Sequence, residues 1–240
     1  MIARIIWQVF LLLAAAVTIS LQLDRQSALV PALADAVPAP ARGFAQAQLT
    51  ARALQSGPPA LAVTEARRLV EKRPIPAEPL RLLAQAQFAA GQNDAGFLTI
   101  QIAAKRGWRD PAAQESMLRL ALAAGDEAEA AKRYIAMFLQ NRTEDALLEE
   151  FGNALFGTAE SEAARTLTEI VSGSDRWPET FLQRGARVLP PRSFVQIVRS
   201  AHASGAAFNC ETLKAVAPRV TARDPEAGAM IDALVAGSCP

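Results

Sequence analysis

The chain has 240 residues, 51 of them alanine, with 21 arginines against 4 lysines and a formal net charge of +1. Charged residues at 20% and hydrophobic residues at 51% exclude a disordered chain, while few β-branched and aromatic residues beside abundant Ala, Leu, Glu, Gln and Arg argue against an all-β fold. The near-neutral balance removes the electrostatic footprint of a nucleic-acid binder, and two cysteines are too few for a disulfide framework or a cysteine-rich zinc module.

Residues 5–23 read IIWQVFLLLAAAVTISLQL, without a charge and with only Gln8 and Gln22 strongly polar. A helix of that length rises about 28 Å, close to the hydrocarbon thickness of a bilayer, so residues 1–25 are expected to be a transmembrane anchor. Arg4 and the amino terminus precede the apolar run, whereas Asp24 and Arg25 follow it. The positive-inside rule then places the N terminus in the cytoplasm and the rest of the chain beyond the membrane. The alternative is a cleaved signal peptide, because Ala32-Leu33-Ala34 has the small-x-small pattern of a cleavage site. That site lies well past the apolar run, with Asp24 and Arg25 between, and the run is longer than a usual signal core; a retained anchor is the expectation. Residues 26–42 carry Pro31, Pro38 and Pro40 among alternating alanines, the composition of a semi-extended linker that lifts a domain off the bilayer.

Beyond residue 42 the sequence repeats. Gly57, Gly91 and Gly125 stand 34 residues apart, and the next step lands on Ala159. In the same register Ala62, Gly96, Ala130 and Ala164 are all small. Leu49, Leu83, Met117 and Phe151 form one large apolar column, and Leu54, Phe88, Leu122 and Phe156 form another. Small residues let paired helices approach closely, and large ones fill the space between neighbouring pairs. Asp126 and Thr143 are expected N-caps, and Pro79 and Pro111 sit at helix starts, where a missing N–H costs little.

This pattern resembles the tetratricopeptide repeat (TPR), a helix-turn-helix unit of about 34 residues. The unit at 77–110 carries the resemblance through Leu80, Leu83, Ala84, Gly96, Ile100 and Ala103; the unit at 145–178 does so through Leu148, Phe151, Gly152, Leu155 and Ala164. The unit at 111–144 keeps Ala130 and Tyr134 but has Leu118 where a small residue is expected, and the unit at 43–76 keeps Ala62 and Pro74. The resemblance implies an all-α, TPR-like helical-hairpin solenoid over residues 43–178. Residues 179–240 leave the 34-residue register, with helices expected near 179–188, 191–204, 210–220 and 224–236, and are read as a C-terminal helical cap.

Cys210 opens one expected helix and Cys239 follows the end of the next, so an antiparallel hairpin would bring them together; a disulfide suited to an oxidising compartment is the expectation, and two unrelated thiols the alternative. His202 is the single histidine, which makes a transition-metal site improbable and a surface or half-buried role the expectation. Glu149-Glu150 and the pair Glu127 and Glu129 are expected on solvated faces rather than in acid–base chemistry. No GxSxG motif or phosphate-binding glycine loop occurs, so no catalytic, cofactor-binding or metal-binding residue is assigned. Segmental charge is uneven: +4 over 43–110, −6 over 111–178 and +2 over 179–240. Such alternation could steer a partner or drive association into homo-oligomers. Trp108, Arg109, Arg176 and Trp177, at the ends of two units, are the candidate partner-binding residues, since Trp and Arg are favoured at hot spots, with inter-repeat packing the alternative account of both tryptophans.

The expectation is a non-enzymatic scaffold or adaptor for a protein or peptide partner, anchored in a bacterial inner membrane with its C-terminal domain in the periplasm. By analogy with membrane-anchored TPR-like proteins, its process would be envelope assembly, secretion or polysaccharide export. The alternatives are an enzyme, or a subunit of one, whose site is assembled from residues distant in sequence, and a self-association module. No nucleic acid and no cofactor are expected.

Overall fold

The computed structural model describes residues 2–158, 160–174 and 176–239, so Ala159, the last member of the glycine column, lies outside the described residues. Among them the chain is all-α, with no strand. It divides into two compact units, residues 1–113 and 114–240.

Unit 1 begins with α1 (Ile2–Ser27), followed by two 3-10 turns at Pro31–Ala36 and Ala39–Ala41. Two hairpins come next, α2 (Phe44–Ser56) with α3 (Pro59–Lys72) and α4 (Ala77–Ala89) with α5 (Asn93–Arg106). Helix α6 (Pro111–Ala124) starts here and runs into unit 2. Unit 2 continues with α7 (Glu127–Phe138), α8 (Asp145–Phe156), α9 (Glu162–Ser172), α10 (Trp177–Val188), α11 (Pro191–Ala203), α12 (Cys210–Arg223) and α13 (Pro225–Ser238).

Helices α2, α4, α6, α8, α10 and α12 begin at Phe44, Ala77, Pro111, Asp145, Trp177 and Cys210, 32 to 34 residues apart. The 34-residue columns have distinct physical causes. Gly91 and Gly125 sit at φ +71° and +72°, left-handed conformations that close α4 and α6 and that a side chain would disfavour. Gly57 ends α2 at φ −93°, because Pro58 and Pro59 already break the helix there. Ala62, Gly96, Ala130 and Ala164 are all buried. At Gly96 an added Cβ would lie 2.8 Å from the Phe88 ring, so the second hairpin closes only around a residue without a side chain.

The C-terminal helices leave the 34-residue register but do not leave the packing pattern. In unit 2, α8, α10 and α12 pack side by side in one row, and α7, α9, α11 and α13 in a second. Residues 177–238 therefore add two hairpins to the same two rows. The sequence register hides this because α10 starts at Trp177, two residues early, and the close approaches move to other positions. A Cβ on Gly185 would meet the Phe194 ring at 3.0 Å, and one on Gly228 would meet Thr221 Oγ1 at 2.4 Å.

Residues 26–42 are not an extended spacer either. Both 3-10 turns pack on α1, and the first also packs on α2. Ala34, Val37 and Ala45 are buried together, with Leu23, Ala41 and Leu49 packed around them. Asp24, expected to end the anchor, is buried and supplies the N-terminal cap of α2 from a distance. Its carboxylate accepts hydrogen bonds from the backbone N–H groups of Gly43 (2.8 Å), Phe44 (3.1 Å) and Ala45 (2.8 Å). Neither Gly43 nor its neighbours offer a local capping side chain, and a carboxylate at a helix N-terminus also meets the positive end of the dipole. The apolar helix is thus built into unit 1 through its last turn.

The core of unit 2 is held by a chain of aromatic contacts. Tyr134 meets Phe156 edge-on at 5.1 Å and Phe138 at 6.1 Å; Phe138 meets Phe181, and Phe181 meets Phe194, linking α7, α8, α10 and α11. Arg184 on α10 reaches the α7–α8 connection, where its guanidinium donates to the carbonyls of Phe138, Gln140 (3.0 Å) and Thr143 and to Asp145 Oδ1 (3.0 Å). Residue Glu144, not Thr143, occupies the N-cap of α8, and the Thr143 hydroxyl is buried without a hydrogen-bond partner among the described residues. Asp126 does cap α7, accepting from Glu129 N at 2.9 Å.

Candidate partner-binding surface

The second row of unit 2 leaves an open groove of about 490 Å³ between α9 and α11. Its floor is Ala164 and Ile197; its rims carry Glu160, Arg165, Thr168 and Glu169 on one side and Gln196 and Ser200 on the other. Two of these pairs, Arg165 with Glu169 and Gln196 with Ser200, are spaced i,i+4, which places each pair on one helix face. The local sequence makes both helices amphipathic, with Ala163, Leu167 and Val171 buried on α9 and Phe194, Val195, Ile197, Val198 and Ala201 buried on α11. Arg165 and Glu169 are exposed and carry no ion pair among the described residues. A groove with an apolar floor, an unpaired cation, unpaired carboxylates and a side-chain amide matches the mixed polarity of a polypeptide.

Elsewhere in unit 2 several charges are engaged with one another. Arg119 pairs with Glu115 (2.8 Å) and Glu150 (3.5 Å) and lies over the Phe151 ring at 4.7 Å. Asp145 bridges Arg184 and Arg187. The exposed pairs of Arg119 and of Arg187 contribute about 0–1 kcal/mol each, so they organise side chains more than they hold the fold. Of the acidic pairs expected on solvated faces, Glu149 and Glu150 are exposed, whereas the other pair has structural partners. Glu127 accepts from the backbone N–H groups of Glu162 (3.0 Å) and Ala163 (3.4 Å), capping α9 from α7, and Glu129 pairs with Arg133.

Each candidate residue from the sequence has a definite place. Trp108 is 46% exposed between α5 and α6, with the Arg109 guanidinium 4.8 Å from its ring centre. Arg176 is exposed at the N-cap of α10, and Trp177, the first residue of that helix, is half-buried. The two pairs belong to different units, and neither lines the α9–α11 groove. Helix α5 in unit 1 additionally exposes Leu98 and Ile102 at i,i+4 spacing. Cys210 and Cys239 form a disulfide with a Cα–Cα distance of 5.7 Å, joining the start of α12 to the end of α13. His202 is exposed at the end of α11; its Nε2 lies 3.0 Å from Ser238 Oγ and its Nδ1 3.4 Å from the Ala206 carbonyl, so the imidazole ties α11 to α13. Among the described residues no three His, Cys, Asp or Glu side chains are grouped as metal ligands would be.

Comparison with protein families, curated proteins and solved structures finds no match to this chain. The repeat columns mark what is buried, so they do not point to the groove's rim residues. The i,i+4 polar pairs on α9 and α11 were the signal that could have found them.

Proposed function

We propose that this protein is a non-enzymatic, TPR-like scaffold that holds a polypeptide partner against a membrane. The observation that carries this reading is the open α9–α11 groove, whose apolar floor and unpaired charged rim suit an extended peptide better than a small substrate needing enclosure. Stacked hairpins add such grooves without building a closed pocket. Helix α1 is long and apolar enough to cross a bilayer, with a mean hydropathy of 2.1 over its most apolar stretch. The proposed location is a bacterial inner membrane, with Arg4 on the cytoplasmic side and the hairpins in the periplasm, an oxidising compartment that suits the Cys210–Cys239 bond. The process served, by analogy, is envelope assembly, secretion or polysaccharide export.

In-cell crosslinking of the full chain followed by mass spectrometry tests the scaffold. A reproducible partner lost on Arg165→Glu is the expected result. Recovery of no specific partner at normal expression, or a partner indifferent to that charge reversal, contradicts it.

A further inference from the structure

Helix α1 and the second 3-10 turn together form an apolar cleft of about 360 Å³. Leu13, Ala16, Val17 and Leu21 line it from the helix, and Pro38 and Pro40 from the turn. Ser20 is the single polar side chain on its wall, and its hydroxyl donates to the Ala16 carbonyl at 2.8 Å, leaving no free donor.

Lengths decide what this cleft faces. From Leu21 down to Leu13 it follows α1 for about 12 Å, whereas a headgroup layer is only about 5–7 Å deep. The uncharged run from Ile5 to Leu23 rises about 28 Å and barely matches the hydrocarbon thickness. Lifting the cleft out of the bilayer would leave too short a stretch of α1 to span it. The turn itself is suited to a lipid setting. Pro31, Pro38 and Pro40 lack N–H groups, and the N–H groups of Leu33, Ala41 and Arg42 donate within the turns. The one charge between residues 28 and 41, Asp35, is paired with Arg52 at 2.9 Å. Leu29 and Val30, at the junction of α1 and the first turn, are 80% and 46% exposed.

We propose that the Pro38–Ala41 turn enters the outer leaflet beside α1 and that a phospholipid acyl chain fills the cleft between them. Unit 1 then rests on the bilayer with its first turns immersed, held at a fixed attitude by the Asp24 cap on α2. The proposal rests on the membrane reading of α1 given above.

The test uses full-length protein in phosphatidylcholine–phosphatidylglycerol vesicles, with an environment-sensitive NBD label on single added cysteines and nitroxide-bearing lipids as quenchers. The labelled positions are Ala39→Cys on the turn, Leu12→Cys on α1 and Thr64→Cys on the exposed face of α3, with the native disulfide kept oxidised. The expected result is blue-shifted emission at positions 12 and 39, with more than half the fluorescence quenched by the lipid nitroxides, and none quenched at position 64. Quenching at position 12 with position 39 behaving like position 64 overturns the proposal and leaves the anchor in place. Absence of quenching at position 12 overturns the anchor and the proposal together.

Discussion

Tyr134 is the only tyrosine in the chain, fully buried, with its hydroxyl donating to the Leu148 carbonyl at 3.2 Å. Burial, the largest cause, pushes its phenol well above the ordinary tyrosine range, and the nearby Arg184 only partly offsets this. A folded-state pKa raised above the unfolded value stabilises the fold below pH about 10 and loses that contribution as pH climbs further. Tyrosinate absorbance at 295 nm should therefore appear only together with loss of helical circular dichroism. Reversible ionisation near pH 10 with the helices intact would contradict the burial. Arg184 offers a second test at the same scale. It is largely buried and donates to three backbone carbonyls of the α7–α8 connection. Arg184→Ala should cost about 3 kcal/mol or more, read from the denaturant midpoint at unchanged slope. Arg184→Lys should recover little, because a point charge cannot fork across Phe138, Thr143 and Asp145. A midpoint unmoved by the alanine change would show that the carbonyls do not depend on this side chain. Neither residue's role was legible beforehand. Tyr134 reads only as a residue that the unit at 111–144 keeps of the TPR pattern, and Arg184 lies 39 positions from Asp145, a pairing that spacing along one helix cannot suggest.

Among the elements, the last hairpin shows how much local sequence carries. Helix α13 is capped by Asp224, which accepts from Glu226 N (2.9 Å) and Ala227 N (3.1 Å), while the Arg192 hydrogen bond holds its carboxyl below the usual range. Gly228 lets α13 press against Thr221 of α12, and the disulfide closes the open end. A bridge separated by 29 residues should contribute about 3–4 kcal/mol by chain entropy. Reduction should lower the melting temperature and release hydrogen-exchange protection first in α12 and α13. Unchanged exchange there after complete reduction would mean that packing alone holds the hairpin. Both helices were legible from Pro225, the cysteine positions and the apolar periodicity. Their membership of the two rows was not, because a two-residue slip at Trp177 moves every crossing residue out of the 34-residue columns. The proline segment failed for a related reason. Pro31, Pro38 and Pro40 suit a semi-extended chain, yet the same fixed φ also suits 3-10 turns, and burial of Ala34 and Val37 decides between the two.

For the whole molecule, the sequence disclosed the fold class, the apolar first helix and the hairpin repeat, since each leaves a periodic trace. The binding surface leaves a weaker one. A groove is defined by side chains that do not pack, and Arg165, Glu169, Gln196 and Ser200 acquire meaning only when α9 and α11 lie side by side. Trp108, Arg109, Arg176 and Trp177, chosen for composition, are not among the residues that line that groove. The account's central claim is that a polypeptide partner occupies it, and site-specific photo-crosslinking in cells measures this most directly. A photoreactive residue at Gln196 should give a discrete adduct with one partner, lost on Arg165→Glu, while the same residue at exposed Thr64 should give none. Equal adducts from both positions, or none from Gln196 in correctly folded, membrane-bound protein, would contradict it.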